Sequence, residues 1–123
     1  MLQHVSLEVR PDQVEECVAF WRLLGFEKVA PPPSLSRFTW VERNGTQIHL
    51  MPFDDPVTTV RGHAAVVVED FEATVETLRG NGYETREGSN AWNAPRVFVR
   101  DPAGNHVELM SAPPPTVSSY PRA

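Results

Sequence analysis

Four side chains that exchange protons or donate lone pairs to a cation recur in step along this 123-residue chain: His4, His49, His63 and Glu108. The stretch from Gly104 to Ser111 reads GNHVELMS, and an upstream stretch from Gly45 to Pro52 reads GTQIHLMP. Gly45/Gly104, Ile48/Val107, Leu50/Leu109 and Met51/Met110 match at a separation of about 59 residues, the mark of a repeated unit. At that offset His49 falls on Glu108, His4 on His63 and Arg37 on Arg96. A carboxylate set between Val107 and Leu109 in an apolar strand needs a partner, because a buried charge is costly unless paired. The repeat thus joins a His to a His and a His to a Glu.

The elements that position these groups follow from periodicity. Residues 2–9 alternate as a half-buried strand, with Val5, Leu7 and Val9 on one face and His4, Ser6 and Glu8 on the other. A helix is expected from Pro11 and Asp12, with Asp12 to Glu15 as a capping box and Val14, Cys17, Val18, Trp21 and Leu24 as its apolar stripe. Gly25 ends it. Strands are expected at 26–29, 37–42 and 46–51, with 31–36 a proline-rich loop and Asn44-Gly45 a hairpin turn. The second half repeats the order. A strand covers 63–68, a helix starts at Asp70 with Phe71, Thr74, Val75 and Leu78 as its stripe, and strands follow at 83–86, 96–100 and 105–110. Each half is strand–helix–strand–strand–strand, so the expected class is α+β, with helices on one face of mostly antiparallel sheet. By parity His4, His49, His63 and Glu108 all lie opposite the Val/Leu/Ile face, which predicts one concave site.

A chain of 123 residues holds one domain, built here from repeats 2–52 and 61–111 with a proline-rich tail at 112–123. No apolar run approaches the ~20 residues of a membrane span and no signal segment opens the chain, so no membrane role and a cytoplasmic location are expected. The lone Cys17 fits a reducing compartment and, on the helix stripe, reads as a packed thiol. A net charge of -5 argues against nucleic-acid binding, which requires a basic surface.

The segments QHVSLEV, FWRLLGFE, GTQIHLMP, GHAAVVVED and VRDPAGNHVELM resemble the vicinal oxygen chelate superfamily. That group contains glyoxalase I, bleomycin-resistance proteins, fosfomycin thiol transferases and extradiol dioxygenases. The resemblance spans roughly residues 2–111 and implies two βαβββ modules closing around a divalent metal, in a homodimer that acts on a small molecule. It implies His4 and His63 as first-strand ligands, Glu108 as the last-strand carboxylate ligand, and His49 at a position where glyoxalase I carries a Glu that is both ligand and base. Glu108 and His49 are accordingly the candidate catalytic residues.

Imidazole and carboxylate together suit zinc, nickel, manganese or iron. Three neutral His and one carboxylate leave a divalent site with a net charge of about +1, which favours anionic oxygens. Arg37 and Arg96 would push the same way, and Trp92 reads either as a lid over the pocket or as a dimer contact. These three are the candidate substrate-binding residues. His106 shares the parity of Glu108 but reads as a rim group, and Trp40 as packing or pocket wall. The leading expectation is a metal-dependent enzyme of the glyoxalase type, by isomerase or lyase chemistry or by thiol transfer. The alternative is a bleomycin-resistance-type drug-binding protein, and a third reading is an extradiol-type dioxygenase.

Overall fold

The computed structural model describes residues 1–116; the tail read at 112–123 lies largely outside them. The first half contains β1 (His4–Val9), α1 (Val14–Leu23), β2 (Glu27–Val29), β3 (Thr39–Arg43) and β4 (Thr46–Pro52). The second contains β5 (Ala64–Val67), α2 (Phe71–Gly80), β6 (Arg86–Glu87), β7 (Arg96–Arg100) and β8 (His106–Met110). Each half forms its own four-stranded sheet, ordered β1-β4-β3-β2 and β5-β8-β7-β6. The outer pairs β1·β4 and β5·β8 are parallel and the others antiparallel, so each sheet is mixed but mostly antiparallel. The α+β class and the doubled βαβββ order agree with the sequence; the strands form two sheets rather than one.

Period-two alternation works as expected. Leu7 and Val9 on β1, Ile48 and Leu50 on β4, and Val107 and Leu109 on β8 are all buried. From the helices, Cys17, Val18, Phe20, Trp21, Val75 and Leu78 join the same continuous core, which draws on both halves. Each fully buried Leu, Val or Phe there contributes roughly 1.5–3 kcal/mol relative to exposure. The Asn44-Gly45 hairpin has φ of 51° and 86°, the pair of left-handed residues that a two-residue turn between right-twisted strands requires.

Three local expectations fail. Asp12 does not cap α1: residues Pro11–Gln13 wind as a 3-10 turn, Gln13 precedes the helix, and the Asp12 carboxylate pairs with Arg10 Nε at 3.2 Å instead. Arg37 is not in a strand, because a 3-10 turn at Pro33–Leu35 delays β3 to Thr39. Asp70 precedes α2 as expected but makes no side-chain cap.

A polar clip joins the halves. Asn105, fully buried, donates from Nδ2 to the Glu8 carbonyl at 2.9 Å and to Asp101 Oδ2 at 3.2 Å. Its Oδ1 accepts the Thr59 N–H at 3.2 Å, and its own N–H donates to Asp101 Oδ1 at 2.7 Å. One amide thereby ties the end of β1, the linker and the β7–β8 turn. Burial pushes the Asp101 carboxyl above its ordinary range, against the donors of Asn105, Gly104 and Ala103. Across the same division Arg43 Nη1 donates to the Val67 carbonyl at 2.8 Å. Among the described residues, no helix is long and apolar enough to cross a membrane.

Candidate functional site

In the second sheet the site is built around Glu108, whose residue is 4% exposed at the middle of β8. His63, just before β5, brings Nε2 to 2.9 Å from Glu108 Oε1, and Arg96 at the start of β7 donates from Nη1 to Oε2 at 3.0 Å. The other nitrogen of His63, Nδ1, lies 2.8 Å from the Arg61 carbonyl. A carbonyl only accepts, so Nδ1 carries a proton, and a ring with no second proton would turn the Nε2 lone pair toward a carboxylate oxygen. Two lone pairs at that distance repel; the contact is satisfied by a second proton or by a cation held between imidazole and carboxylate.

Arg96 is itself fixed. Its Nε donates to the Ser89 carbonyl at 3.0 Å and its Nη2 to Ser89 Oγ at 2.6 Å. The guanidinium lies 4.8 Å from the Trp92 ring centre, and Trp92 Nε1 donates to the Ala112 carbonyl at 3.1 Å. Gly88 makes room for it: a Cβ there would stand 2.8 Å from Arg96 Cγ and 2.9 Å from Nε. The loop between β6 and β7 is thus fastened to Glu108 through one arginine.

In the first sheet His49 is layered between two rings. Trp40 lies on one face at 4.0 Å with planes 3° apart, and His4 is stacked at 4.0 Å with planes 10° apart. His49 Nε2 contacts Gln47 Oε1 at 2.8 Å, while Gln47 Nε2 donates to Glu42 Oε1 at 2.9 Å. Since the Glu42 carboxylate only accepts, it orients the Gln47 amide, which in turn fixes the His49 proton on Nε2 and leaves Nδ1 as the lone-pair atom. Burial first, and His4 second, hold the His49 pKa below the ordinary 6.5, so the ring is neutral at pH 7. The stacking has a geometric consequence. A ring nitrogen points its lone pair within the ring plane, so two nearly parallel rings stacked with centroids 4.0 Å apart do not aim their lone pairs at one common point.

The four residues singled out by the repeat therefore fall into two pairs, His4 with His49 and His63 with Glu108, one on each sheet. Among the described residues no group of three or more His, Cys, Asp or Glu side chains is arranged to hold a metal ion. Arg96 and Trp92 stand together beside Glu108. Arg37, their supposed counterpart in the first half, is exposed in a turn with its guanidinium 4.6 Å over the Phe38 ring. Cys17 is fully buried, and burial pushes its thiol up to about 12.

Phe98, Gln47, Glu42 and Ser89 were not singled out by the sequence. Phe98 was legible by parity, since it shares a face with Arg96 on β7, pairs with Glu108 on β8 and packs edge-on to His63 at 5.4 Å. The Gln47 and Ser89 contacts depend on side-chain directions that spacing does not encode. His106 packs between Phe98 and His63, and burial, then Arg100, hold its pKa below the ordinary value.

Comparisons with known proteins agree with this architecture. No curated protein sequence matches the chain. Among solved structures, a glyoxalase family protein from Bacillus anthracis superposes with a TM-score of 0.79 at 26% identity, covering 89% of this chain and 93% of that one. The fosfomycin resistance protein FosX from Listeria monocytogenes superposes at 0.76 with 19% identity, covering 92% and 91%. TnmS3, an antibiotic binding protein from a Streptomyces species, superposes at 0.70 with 22% identity, covering 89% and 93%. The last two likenesses show the fold alone. The model of the Glyoxalase/Bleomycin resistance protein/Dioxygenase superfamily matches residues 2–109, nearly the whole chain, and the protein belongs to that superfamily.

Proposed function

We propose that the protein is a cytoplasmic, homodimeric, divalent-metal-dependent enzyme of the glyoxalase type, acting on a small substrate that chelates through adjacent oxygens. The observation that carries this reading is the His63–Glu108 contact. Its Nε2 lone pair and Oε1 oxygen converge at 2.9 Å, and the far ring nitrogen is anchored on a backbone carbonyl. Anchoring of that kind is how proteins orient a ligating imidazole. His63 and Glu108 supply two donors from one chain, and a zinc-like ion takes at least three from protein. His4, on the exposed rim of the first sheet, is the third donor, offered by a second copy of the chain. A bound divalent ion would supply Lewis acidity toward the substrate oxygens.

The chain's own residues divide the remaining work. His49, neutral and held in one tautomer by Gln47 and Glu42, keeps Nδ1 ready to take a proton from a substrate carbon or a nucleophile. The stacking of His49 on His4 makes it a base beside the metal rather than a fourth ligand. Arg96 and Trp92 line the approach to Glu108, and enediolate-type isomerisation or lyase chemistry suits this set best.

A second reading rests on one specific contact. Arg96 already pairs with Glu108, so the carboxylate is neutralised from the protein itself, and the Trp40–His49–His4 stack forms an aromatic floor suited to sequestering a flat drug. Elemental analysis of protein purified without chelator separates the two. The enzyme reading expects about one metal per chain, lost in His4→Ala, His63→Ala and Glu108→Ala and kept in His49→Ala. Absence of metal from the folded wild type after adding zinc, nickel, manganese and iron in turn would sink it in favour of the binding protein.

A further inference from the structure

Next to the His63–Glu108 pair, along the β6 edge of the second sheet, lies an open groove of about 570 Å³. It is formed by residues 82–86, by Phe98 to Pro102 and by His106. Neither His63 nor Glu108 lines it, yet two of its wall residues, Phe98 and His106, each pack 5.4 Å from the His63 ring. The groove therefore opens beside the candidate metal pair without containing it, and its size is that of a small-molecule site.

Its charge balance differs from the chain's, with as many basic as acidic residues in its lining. The protein carries -5 overall, but β6 and β7 bring Arg86 and Arg100 to this groove beside Phe98. The register sets Arg86 opposite Phe98 and Arg100 opposite His106. Arg100 Nη1 donates to the Gly104 carbonyl at 2.9 Å and to the Thr59 carbonyl at 3.3 Å, which pins the guanidinium while its Nε and Nη2 donors keep no protein acceptor among the described residues. Arg86 lies 5.5 Å over the Phe98 ring and makes no hydrogen bond or ion pair among the described residues. The carboxylate of Asp101 makes no ion pair with either among the described residues; it is 3% exposed and its oxygens accept from Asn105. That leaves Glu84 as the one acidic side chain open to the groove.

We infer that this groove binds the carboxylate of a flat organic anion, gripped by Arg86 and Arg100, with the ligand's body against Phe98 and Tyr83. The inference rests on the proposed function only in assigning the ligand's opposite end to the His63–Glu108 pair. It names the substrate class as an organic acid whose charged tail is recognised apart from the reacting oxygens. Guanidinium groups lining one groove match a carboxylate through charge-assisted hydrogen bonds, and a neutral amide of the same shape forfeits them.

The test is calorimetric titration of naphthoate and naphthamide into the full chain in chelator, so that metal plays no part. Naphthoate is expected to bind roughly tenfold or more tighter than naphthamide, as charge-assisted bonds to arginine dictate. Arg86→Gln is expected to weaken naphthoate about tenfold and leave naphthamide unchanged, with Arg86→Lys recovering part of the loss. Arg100→Gln should do the same wherever its melting curve shows it folded; Arg86→Gln decides the matter otherwise. His63→Ala should keep the naphthoate affinity, so a failed metal reading and a failed groove reading give different results. Equal affinity for naphthoate and naphthamide, or full naphthoate affinity in Arg86→Gln, overturns the inference.

Discussion

Replacing Arg96 with methionine separates the two roles open to Glu108. Methionine keeps most of the apolar stem and removes the guanidinium, with its cation–π contacts to Trp92 and Phe98. Its bond to Glu108 Oε2 at 3.0 Å and both bonds to Ser89 are lost. The two side chains are 15% and 6% exposed, so this is a largely buried ion pair. Removing one partner of such a pair costs about 3–5 kcal/mol. Glu108 retains His63 at 2.9 Å, which places the loss at the lower end, about 3 kcal/mol. For a domain of this size that lowers Tm by roughly 10–15 °C. Metal affinity should move the other way. A divalent cation held at the opposite carboxylate oxygen would sit about 5 Å from the guanidinium, where the repulsion is about 7 kcal/mol at an effective dielectric of 20 before screening. After solvent screening, zinc or nickel should bind about 10- to 100-fold more tightly to Arg96→Met than to the wild type. Thermal melts with and without metal, together with competition titration against a chromogenic chelator, measure both quantities. Gly88→Ala should shift both in the same directions, because its Cβ displaces Arg96 without touching Glu108. A folded Arg96→Met protein that binds metal more weakly than the wild type, or not at all, refutes Glu108 as a ligand held in check by Arg96.

Asn105→Ala strands the Glu8 carbonyl, the Thr59 N–H and an oxygen of Asp101; at about 1–3 kcal/mol for a buried group left unpaired, and with the first two bonds only part-buried and so at the low end, urea melts should show a loss of about 3–5 kcal/mol. The Cys17 thiol, with a pKa pushed up to about 12 by burial, should not react with a disulfide reagent at pH 8 until the protein is unfolded; rapid labelling of the native chain would contradict the packing. His49 and His106 both have pKa values lowered from 6.5 by burial, so the unfolded chain binds more protons as the pH falls through that value. Their share of stability is intact above pH 6.5 and lost below it, and a His49→Gln/His106→Gln double variant should show a flatter decline in denaturation midpoint between pH 6.5 and 5.

The repeat was legible because glycine turns and period-two alternation survive divergence: Gly45 and Gly104 both hold positive φ, and His49 and Glu108 both face away from the helices. The same offset misled at Arg37. Its register with Arg96 holds in sequence number, but the 3-10 turn at Pro33–Leu35 consumes the residues that would have extended β3. Parity assigns faces and cannot say how the two sheets stand to each other, so it does not separate the His4–His49 pair from the His63–Glu108 pair. The tautomer-setting line from Glu42 through Gln47 to His49 was illegible for another reason: it depends on rotamers, not on spacing.

The Asn105 clip also bears on the order in which the chain acquires its structure. Its bond to the Glu8 carbonyl closes a loop of 97 residues, while the hairpins β3–β4 and β7–β8 close loops of only a few. Long closures cost the most chain entropy and form after local pairing. The amide is therefore expected to close as a latch after the barrier has been crossed. Its loss should leave the refolding rate of the denatured chain nearly unchanged and appear almost wholly as faster unfolding, so that Asn105 governs how long the two halves stay together rather than how quickly they find each other.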